Sequence, residues 1–318
     1  MEDVFMSKKE QFLNALSKLE PDIERYFNNV NNKFKKALLV KEKAILKVLG
    51  ILTRKIFNFN MQCSVKTFFG RTMKVFLGDK MANGLFFFHT LYGEELKIVK
   101  FLIKNLKKDE IFYDIGANFG FYTVLAQELI EQKEGEIHSF EPLPKIFSLL
   151  KENALIDKYE NTYLNNVALS DKIGVINFCD RTPQGYSGGS TVVFDFYNKK
   201  GNIIKVQSTT LDNYINFHKV PTLMKIDVEG AEFLVLKGGE KTISQYSPTI
   251  IMEFTNDELN QNAVDFLIKN GYRMFRLDKN GECQIVPEQD IDKIYKNQIK
   301  AEANYVFIKQ KNELIWIK

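Results

Sequence analysis

The 318-residue sequence has little of what marks a secreted, zinc-binding or membrane-spanning protein. Its three cysteines, Cys63, Cys179 and Cys283, form no C-x-x-C pair and leave an odd count for disulfides. Its three histidines are too widely separated for metal-ligand spacing. No apolar run reaches the roughly 18 to 20 residues that a helix needs to span a bilayer, and the polar start of the chain shows no signal peptide. These absences predict a cytoplasmic protein that is at most peripheral to a membrane.

Strong charge of either sign is also lacking. The 44 Lys and Arg residues against 40 Asp and Glu residues give a net charge of +4, which is small for a chain of this length. Such a weak overall field gives little reason to expect a nucleic-acid partner. A composition with 45% hydrophobic and 26% charged residues is that of a globular protein able to bury a large core. We therefore expect one main domain with an extension.

The first 57 residues are predicted to form a helical extension. Helix-forming residues with apolar side chains at helical spacing dominate this segment, which contains one break at Pro21. Residues 33–56 hold eight basic side chains against a single acid, Glu42, interleaved with leucine and isoleucine. A basic amphipathic helix of this kind either packs its apolar face on the adjoining domain or lies on an anionic membrane, and the pattern leaves both open.

Residues 58–109 are predicted to begin the main domain and to cover its pocket. Alternating apolar and polar residues over 65–69 and 73–77, joined across a glycine-containing turn, predict a hairpin. An aromatic run at 85–89 follows, and helical spacing over 96–106 comes next.

From residue 110 onward, strand and helix patterns alternate, which is typical of a parallel sheet with crossover helices. Strands are predicted over 111–115, 136–140, 162–167, 222–227, 249–254, 272–277 and 304–309. Helices are predicted over 120–131, 143–155, 231–238 and 258–269. Short alternating runs over 175–207 interrupt the rhythm and indicate an inserted hairpin or a mobile loop. The expected fold over 110–318 is α/β, a seven-stranded and mostly parallel sheet with helices on both faces.

A ligand-binding turn is predicted directly after the first of these strands. Asp114, Gly116 and Gly120 belong to the heptapeptide D-I-G-A-N-F-G, which leads into a helix whose first N–H groups can approach a ligand closely. A dinucleotide fold needs G-x-G-x-x-G, and Asn118 and Phe121 occupy its last two glycine positions. Counted as acid-x-Gly-x-small-x-Gly, the segment instead fits a loop that holds the amino-acid end of S-adenosylmethionine.

A second acid follows the next predicted strand. Glu141 stands at its end, where a carboxylate can accept hydrogen bonds from both hydroxyls of a ribose, and Pro142 ends the strand by removing a donor. This acid is common to NAD and S-adenosylmethionine sites, so it does not separate them. The glycine spacing favours S-adenosylmethionine.

Three carboxylates, Asp227, Glu229 and Glu232, come at the end of the strand predicted over 222–227. Together with the turn at 114–120 and Glu141, they give the chain a resemblance to the FkbM family of S-adenosylmethionine-dependent methyltransferases, whose hallmark K-I-D-V-E-G-A-E is matched in full by residues 225–232. The resemblance covers about residues 85–310.

The resemblance implies a Rossmann-like class I methyltransferase fold and, usually, O-methylation of a sugar or a small molecule. It also implies a contact between the adenine ring and Asn166 and Ala168, against which ordinary packing stands as the alternative. Glu94, before the helix over 96–106, could close the cofactor pocket from above or be a solvated cap.

Methyl transfer to a hydroxyl needs in-line positioning, a dry pocket and a route for the proton, but no covalent intermediate. Asp227 and Glu229 are the candidates for acceptor orientation or proton removal, and Glu253 at the end of the next strand is a further candidate. Acids near a helix start are also favoured by its free N–H groups, and this interpretation is preferred for Glu232. No metal site is predicted, although the oxygen ligands of Asp227 and Glu229 are of the type that suits Mg²⁺.

Two other functions are considered. An NAD-linked oxidoreductase would need a Tyr-x-x-x-Lys pair or its equivalent, and Tyr159 is followed four residues later by Tyr163 instead of lysine. A non-catalytic scaffold of a glycan-assembly complex is disfavoured by the intact Asp114, Glu141 and Asp227. The acceptor itself is not predicted, because acceptor pockets are built from variable loops such as 179–205 and from the N-terminal part of the chain.

Overall fold

The computed structural model describes residues 6–28, 51, 61–154, 158–185, 187–192 and 201–309. At its centre is a sheet of short, buried strands between two layers of helices. In the strand Ile111–Ile115, for example, all five side chains are buried. Strands covered on both faces have continuous apolar sequences, which explains why this segment shows no alternation.

The described strands are β1 (Gln62–Lys66), β2 (Thr72–Phe76), β3 (Ile111–Ile115), β4 (Glu136–Phe140), β5 (Thr162–Asn165), β6 (Ala168–Leu169), β7 (Gly174–Asp180), β8 (Thr191–Val192), β9 (Asn202–Thr209), β10 (Leu223–Ile226), β11 (Thr249–Glu253), β12 (Tyr272–Leu277), β13 (Cys283–Ile285) and β14 (Asn304–Lys309). The described α-helices are α1 (Lys8–Asn28), α2 (Asn83–Phe88), α3 (Glu94–Asn105), α4 (Phe121–Leu129), α5 (Pro144–Ala154), α6 (Leu211–Tyr214), α7 (Glu232–Gly238), α8 (Glu240–Tyr246), α9 (Glu258–Lys269) and α10 (Glu288–Tyr295). Every strand and helix predicted from residue 110 onward is present, with ends within about two residues of the prediction.

The central sheet has the strand order β13-β12-β14-β11-β10-β3-β4-β5. The five strands from β11 to β5 pair in parallel, whereas β14 is antiparallel to both β11 and β12. The predicted, mostly parallel α/β sheet is therefore confirmed. The short edge strand β13, which lies between β12 and β14 in the chain, is an addition to the seven predicted strands. It has only three residues, two of them exposed, so the sequence showed no strand pattern there.

Alternate residues of each strand point to opposite helical layers. Phe112 and Leu223 belong to the core shared with α1, α3, α4 and α5. Tyr113 and Met224 belong to the core shared with α7, α8 and α9. Helices therefore cover both faces of the sheet, as predicted, and leave its carboxyl edge for the loops.

The described part of the N-terminal extension is the single helix α1. The predicted break at Pro21 is wrong, because the helix continues through it. Phe12 and Leu16 before the proline and Ile23 after it are all buried in the same core, so packing holds both halves in line despite the lost hydrogen bond. Apart from residue 51, the basic helix predicted over 33–56 lies outside the described residues. No helix in the described ranges is both long and apolar enough to cross a membrane.

The segment predicted to cover the pocket contains the expected hairpin, in which β1 and β2 pair antiparallel. The predicted insertion at 175–207 is largely a second sheet, with the strand order β6-β9-β7-β8. Its long strands β7 and β9 pair over seven residues. We call the described residues of this segment, 174–185, 187–192 and 201–209, the insert.

Candidate active site

A cleft opens at the carboxyl ends of β3, β4 and β10. Here β3 and β10 are neighbours, and the chain order of the sheet reverses between them, which is where open α/β sheets bind ligands. The empty space of the cleft, including the part open to solvent, is about 890 Å³.

The turn at Asp114–Gly120, here called the cofactor turn, needs left-handed backbone at three positions. Gly116 has a φ of 81°, and a Cβ added to it would lie 1.9 Å from the carbonyl oxygen of Asp227. Only glycine therefore allows this close approach. Gly120 has a φ of 88° and Asn118 a φ of 53°. Asparagine is one of the few residues that adopt this conformation readily, which explains how it can replace the commoner glycine.

Asp114 lies beneath the floor of the cleft and is fully buried. Its Oδ2 accepts a hydrogen bond of 2.7 Å from Thr123 Oγ1, and its Oδ1 receives none from the described residues. Burial raises the pKa of this carboxyl above its ordinary value. A buried acceptor without a partner is unusual, and it fits the need of a bound cationic ligand such as the amino end of S-adenosylmethionine.

Glu141 lies in the wall of the cleft and is held by two backbone donors. Its Oε2 accepts a hydrogen bond from the Asn118 N–H at 3.0 Å, and its Oε1 accepts one from the Leu143 N–H at 2.9 Å. Each oxygen keeps a second acceptor position, which fits a ribose with two hydroxyls. Burial raises the pKa of Glu141 to about 7.

Only one of the two predicted adenine contacts, Asn166 and Ala168, lies at the cleft. Of the two, Ala168 lines the cleft. So do Pro142, which was predicted to bind the cofactor but not as an adenine contact, and Val167, which the sequence did not single out. Asn166 is exposed and does not line it. Its Nδ2 donates to the carbonyl oxygens of Glu141 and Pro142 at 2.8 and 3.0 Å, so Asn166 fixes the turn after β4 instead of facing a ligand.

The second turn, here called the catalytic turn, is residues 227–231 after β10. Asp227 and Glu229 line the cleft. The Asp227 N–H donates to the Ile115 carbonyl at 3.0 Å, which joins this turn to the end of β3. Glu229 has a φ of 57°, a strained conformation for a long side chain, and such strain is often concentrated at functional sites.

Glu253, at the end of β11, stands behind these two acids and does not line the cleft. One carboxylate oxygen from each of Asp227, Glu229 and Glu253 lies within 4.8 Å of the other two. Burial and then the nearby Asp227 raise the pKa of Glu253 well above its ordinary range. The three predicted catalytic acids are thus brought together, two of them facing the cleft.

Glu232 has a different place. It is buried, and its Oε1 accepts hydrogen bonds from the Val228 and Gly230 N–H groups at 3.0 and 3.2 Å. Its Oε2 accepts one from Asn260 Nδ2 at 3.2 Å. This side chain holds the catalytic turn in shape, so its role is structural, but its backbone donors belong to the turn and not to the helix that follows.

The structure places Glu95 at the cleft in the position expected of Glu94. Glu94 is 36% exposed, forms an ion pair with Lys97 at 2.8 Å and does not line the cleft. Glu95 does, and its carboxylate accepts hydrogen bonds from Tyr122 Oη at 2.5 Å and Asn304 Nδ2 at 3.0 Å. The prediction missed by one residue because it began the helix at 96. In a helix that starts at 94, Glu95 shares the buried face of Ile98, Val99 and Leu102.

Lys225 is a functional candidate to which the sequence assigned no role. It lines the cleft, is 2% exposed, and places Nζ 2.8 Å from Asp227 Oδ2 and 4.7 Å from the centre of the Tyr122 ring. Although burial acts to lower the pKa of Lys225, the carboxylates of Asp227, Glu95 and Asp114 together raise it. The ammonium group therefore stays charged and balances these acids.

The insert forms the wall of the cleft opposite the sheet. Phe178, Ser187, Gly188, Ser190 and Val192 all line it. The insert therefore lies beside the catalytic turn, and its contribution to an acceptor pocket stays a prediction.

Sheet order, cleft and paired acidic turns together define a Rossmann-like methyltransferase. A family model described as the Methyltransferase FkbM domain matches residues 114–274, which is half of the chain. The chain belongs to the FkbM methyltransferase family.

Individual relatives are more distant. The hexuronic acid methyltransferase AglP of Haloferax volcanii is 26% identical over 164 residues, which is 51% of this chain and 62% of that protein. The solved structure of methyltransferase FkbM from Methylobacillus flagellatus is 12% identical, with a TM-score of 0.41 over 95% of this chain and 62% of that chain. Fibrillarin from Aeropyrum pernix, solved with natively bound S-adenosyl-L-methionine, is 11% identical, with a TM-score of 0.38 over 79% of this chain and all of that chain.

The family implies S-adenosylmethionine as methyl donor, and the residues of the cleft fit it. Asp114 offers a buried acceptor, Glu141 a fixed carboxylate, and Gly116 a close backbone approach. The oxidoreductase alternative is set aside, because the family is one of methyltransferases and the turn has Asn118 and Phe121 where a dinucleotide fold has glycines.

Proposed function

We propose that the protein transfers the methyl group of S-adenosylmethionine to a hydroxyl of a sugar or glycan. The contact between Gly116 of the cofactor turn and the Asp227 carbonyl is the observation that carries this proposal. It brings the acids of the catalytic turn into the wall of the cleft that holds the donor.

Cofactor binding is assigned to the cofactor turn and to Glu141. Asp114 supplies a buried negative charge below the amino-acid end, and Glu141 accepts hydrogen bonds from the ribose hydroxyls. S-adenosylmethionine supplies a methyl group that is already activated as a sulfonium, so the protein need only position the acceptor and remove its proton.

Asp227 and Glu229 perform the second task. Both face the cleft, and either carboxylate can orient an acceptor hydroxyl and take its proton. Lys225 holds Asp227 by an ion pair of 2.8 Å, which fixes the direction of the carboxylate. Glu253 supports the pair from behind.

The proposal that the acceptor is a sugar rests on the similarity to AglP. AglP is a hexuronic acid methyltransferase that is 26% identical to this chain over 164 residues. The match to the FkbM domain, residues 114–274, contains both the cofactor turn and the catalytic turn. The chain matches less than two thirds of that protein, so the substrate is a proposal and not a transfer. A sugar hydroxyl suits a wall that combines serine hydroxyls with carboxylates.

The test is product analysis by mass spectrometry. Purified protein is incubated with S-adenosylmethionine carrying a deuterated methyl group and with glycans that contain uronic acids or neutral sugars. We expect the label on a sugar oxygen. Label on nitrogen or on a carboxylate, or none on any glycan, contradicts the proposal.

The same assay, run with a chelator, tests whether methyl transfer needs a metal ion. The oxygens of Asp227, Glu229 and Glu253 are of the type that Mg²⁺ prefers. Turnover that survives chelation by EDTA assigns proton removal to the carboxylates alone, whereas loss restored by Mg²⁺ assigns them an ion to hold.

A further inference from the structure

Asp79, in the turn after β2, is a buried carboxylate outside the cleft that has no part in the proposed chemistry. It is 3% exposed. Its Oδ1 accepts hydrogen bonds from the Met81 N–H at 2.9 Å and from Ser187 Oγ at 3.2 Å, and its Oδ2 accepts one from the Ser187 N–H at 3.0 Å. Two of these three donors belong to the insert. Burying a carboxylate costs free energy, and closing a turn does not require one.

Ser187 carries the contact onward to the cofactor turn. It is buried, and its Oγ lies 3.3 Å from both Nδ2 and Oδ1 of Asn118 and 3.2 Å from Asp79 Oδ1. Since a serine hydroxyl has one proton and Asp79 Oδ1 accepts it, the serine oxygen accepts from the Asn118 amide. This orientation leaves Asn118 Oδ1 to accept from the Phe119 N–H at 2.8 Å, as observed.

The chain of hydrogen bonds reaches the predicted ribose site. The Asn118 N–H donates to Glu141 Oε2 at 3.0 Å. A continuous path, Asp79 to Ser187 to Asn118 to Glu141, therefore runs from outside the cleft to a side chain in its wall. Asn118 stands in the left-handed region, where its conformation depends on such neighbours.

The insert also forms a hydrogen bond with the catalytic turn, on the other side of the cleft. Thr191 Oγ1 donates to the Val228 carbonyl in the catalytic turn at 2.9 Å. Between the two fastenings, Gly188 packs so closely that an added Cβ would lie 2.4 Å from Met81 Cγ. The segment from Ser187 to Thr191 thus spans the cleft from one turn to the other.

We propose that Asp79 is a positioning residue for the cofactor: through Ser187 it sets Asn118 and Glu141 in the arrangement that binds S-adenosylmethionine. It acts without touching the ligand, and it ties cofactor affinity to the placement of the insert. The inference rests on the proposed function in taking S-adenosylmethionine as the donor.

The test is calorimetric titration of the Asp79→Asn variant with S-adenosylmethionine. The substitution keeps size and the acceptor Oδ1, but it turns an amide N–H₂ toward the Ser187 N–H, so one donor faces another. We expect the dissociation constant to rise by about tenfold, as for a lost hydrogen bond to a charged group. Ser187→Ala, which removes one hydroxyl, should raise it by about threefold.

Asp212→Asn is the matched control. Asp212 also accepts from two N–H groups and one hydroxyl, those of Lys241, Thr242 and Thr242 Oγ1, but it lies outside the cleft wall. It should lower the unfolding temperature comparably and leave cofactor affinity unchanged. If Asp79→Asn does not fold, Ser187→Ala carries the test.

The dissociation constants of the wild type and the three variants either support or contradict the inference. Equal cofactor affinity in wild type, Asp79→Asn and Ser187→Ala overturns the inference and leaves the proposed function standing. A wild-type protein that does not bind S-adenosylmethionine sinks the proposed function itself. A rise in the dissociation constant in both variants but not in Asp212→Asn supports the positioning role.

Discussion

The turns after β3 and β10 both place acids at the end of a buried strand, but they hold those acids in different ways. At the cofactor turn, Asp114 is buried below the floor of the cleft, and the turn's Asn118 N–H and the Leu143 N–H together fix the neighbouring Glu141, which follows β4. At the catalytic turn, Asp227 is half-buried, held by a lysine side chain, and Glu229 faces the cleft on a strained backbone. Backbone donors are rigid and suit binding, whereas a partly solvated carboxylate can exchange a proton. The difference supports the proposal that the first turn binds the cofactor and the second carries the chemistry.

The largest effect is expected at Asp227. Asp227→Asn removes the proton acceptor while keeping shape, so turnover should fall by about 10²- to 10⁴-fold, with cofactor affinity changed by less than about threefold. Initial rates and calorimetry measure the two quantities. Full activity would make Asp227 a structural cap and remove the distinction between the turns.

Gly116→Ala should break the contact between the turns. The new Cβ would meet the Asp227 carbonyl oxygen at 1.9 Å in a backbone conformation that alanine resists. We expect loss of measurable cofactor binding and a fall in unfolding free energy of about 1–3 kcal/mol, read from denaturant titration. Gly70→Ala also has a positive φ but an open surrounding, so it reports the backbone strain alone. Comparable cofactor affinity in both variants would show that the close approach is not needed.

Glu141→Ala should weaken the cofactor first. Two hydrogen bonds to a charged acceptor are lost, so the dissociation constant should rise by about 10- to 100-fold, while turnover at saturating cofactor falls less. Steady-state kinetics separate the two. A fall in saturated turnover with an unchanged dissociation constant would move Glu141 to the catalytic side of the comparison.

The pH dependence of binding sharpens the same point. Burial raises the pKa of Glu141 to about 7, so below pH 7 the empty cleft holds a neutral carboxyl that is a poorer acceptor. Cofactor affinity should therefore rise as pH increases through about 7, with proton release on binding, and Glu141→Gln should flatten the profile. Calorimetry in buffers of different ionisation enthalpy measures the released proton. An identical slope in Glu141→Gln assigns the titration to another group.

The smallest effect separates two adjacent residues. Glu95→Gln disturbs the hydrogen bonds to Tyr122 and Asn304 beside Lys225 and should lower turnover by about three- to tenfold. Glu94→Gln changes only a half-exposed ion pair and should be close to wild type. The reverse order would restore Glu94 as the pocket residue.

The position of a residue could be predicted from the sequence when it depends on neighbours close in the chain. It could not be predicted when it depends on contacts between distant segments. Asp114 lies near the end of β3, and Glu141 and Asp227 directly follow β4 and β10. Each of these strands is marked by a local apolar run, so the sequence predicted all three acids at one edge of the sheet. The place of Glu95 depended on whether it belongs to helix α3, which begins two residues before the predicted start. Asn166 turned to the backbone of a neighbouring loop, which no local pattern encodes. Asp79 meets Ser187 across 108 residues, a contact that only the folded insert creates.

The most direct test of the account is calorimetric titration of the wild-type protein with S-adenosylmethionine, with NAD as the comparison. The cofactor turn, with Asn118 and Phe121 where a dinucleotide fold needs glycine, predicts saturable binding of S-adenosylmethionine at one site and none of NAD. Binding of NAD without S-adenosylmethionine, or of neither, would contradict the assignment of the two turns.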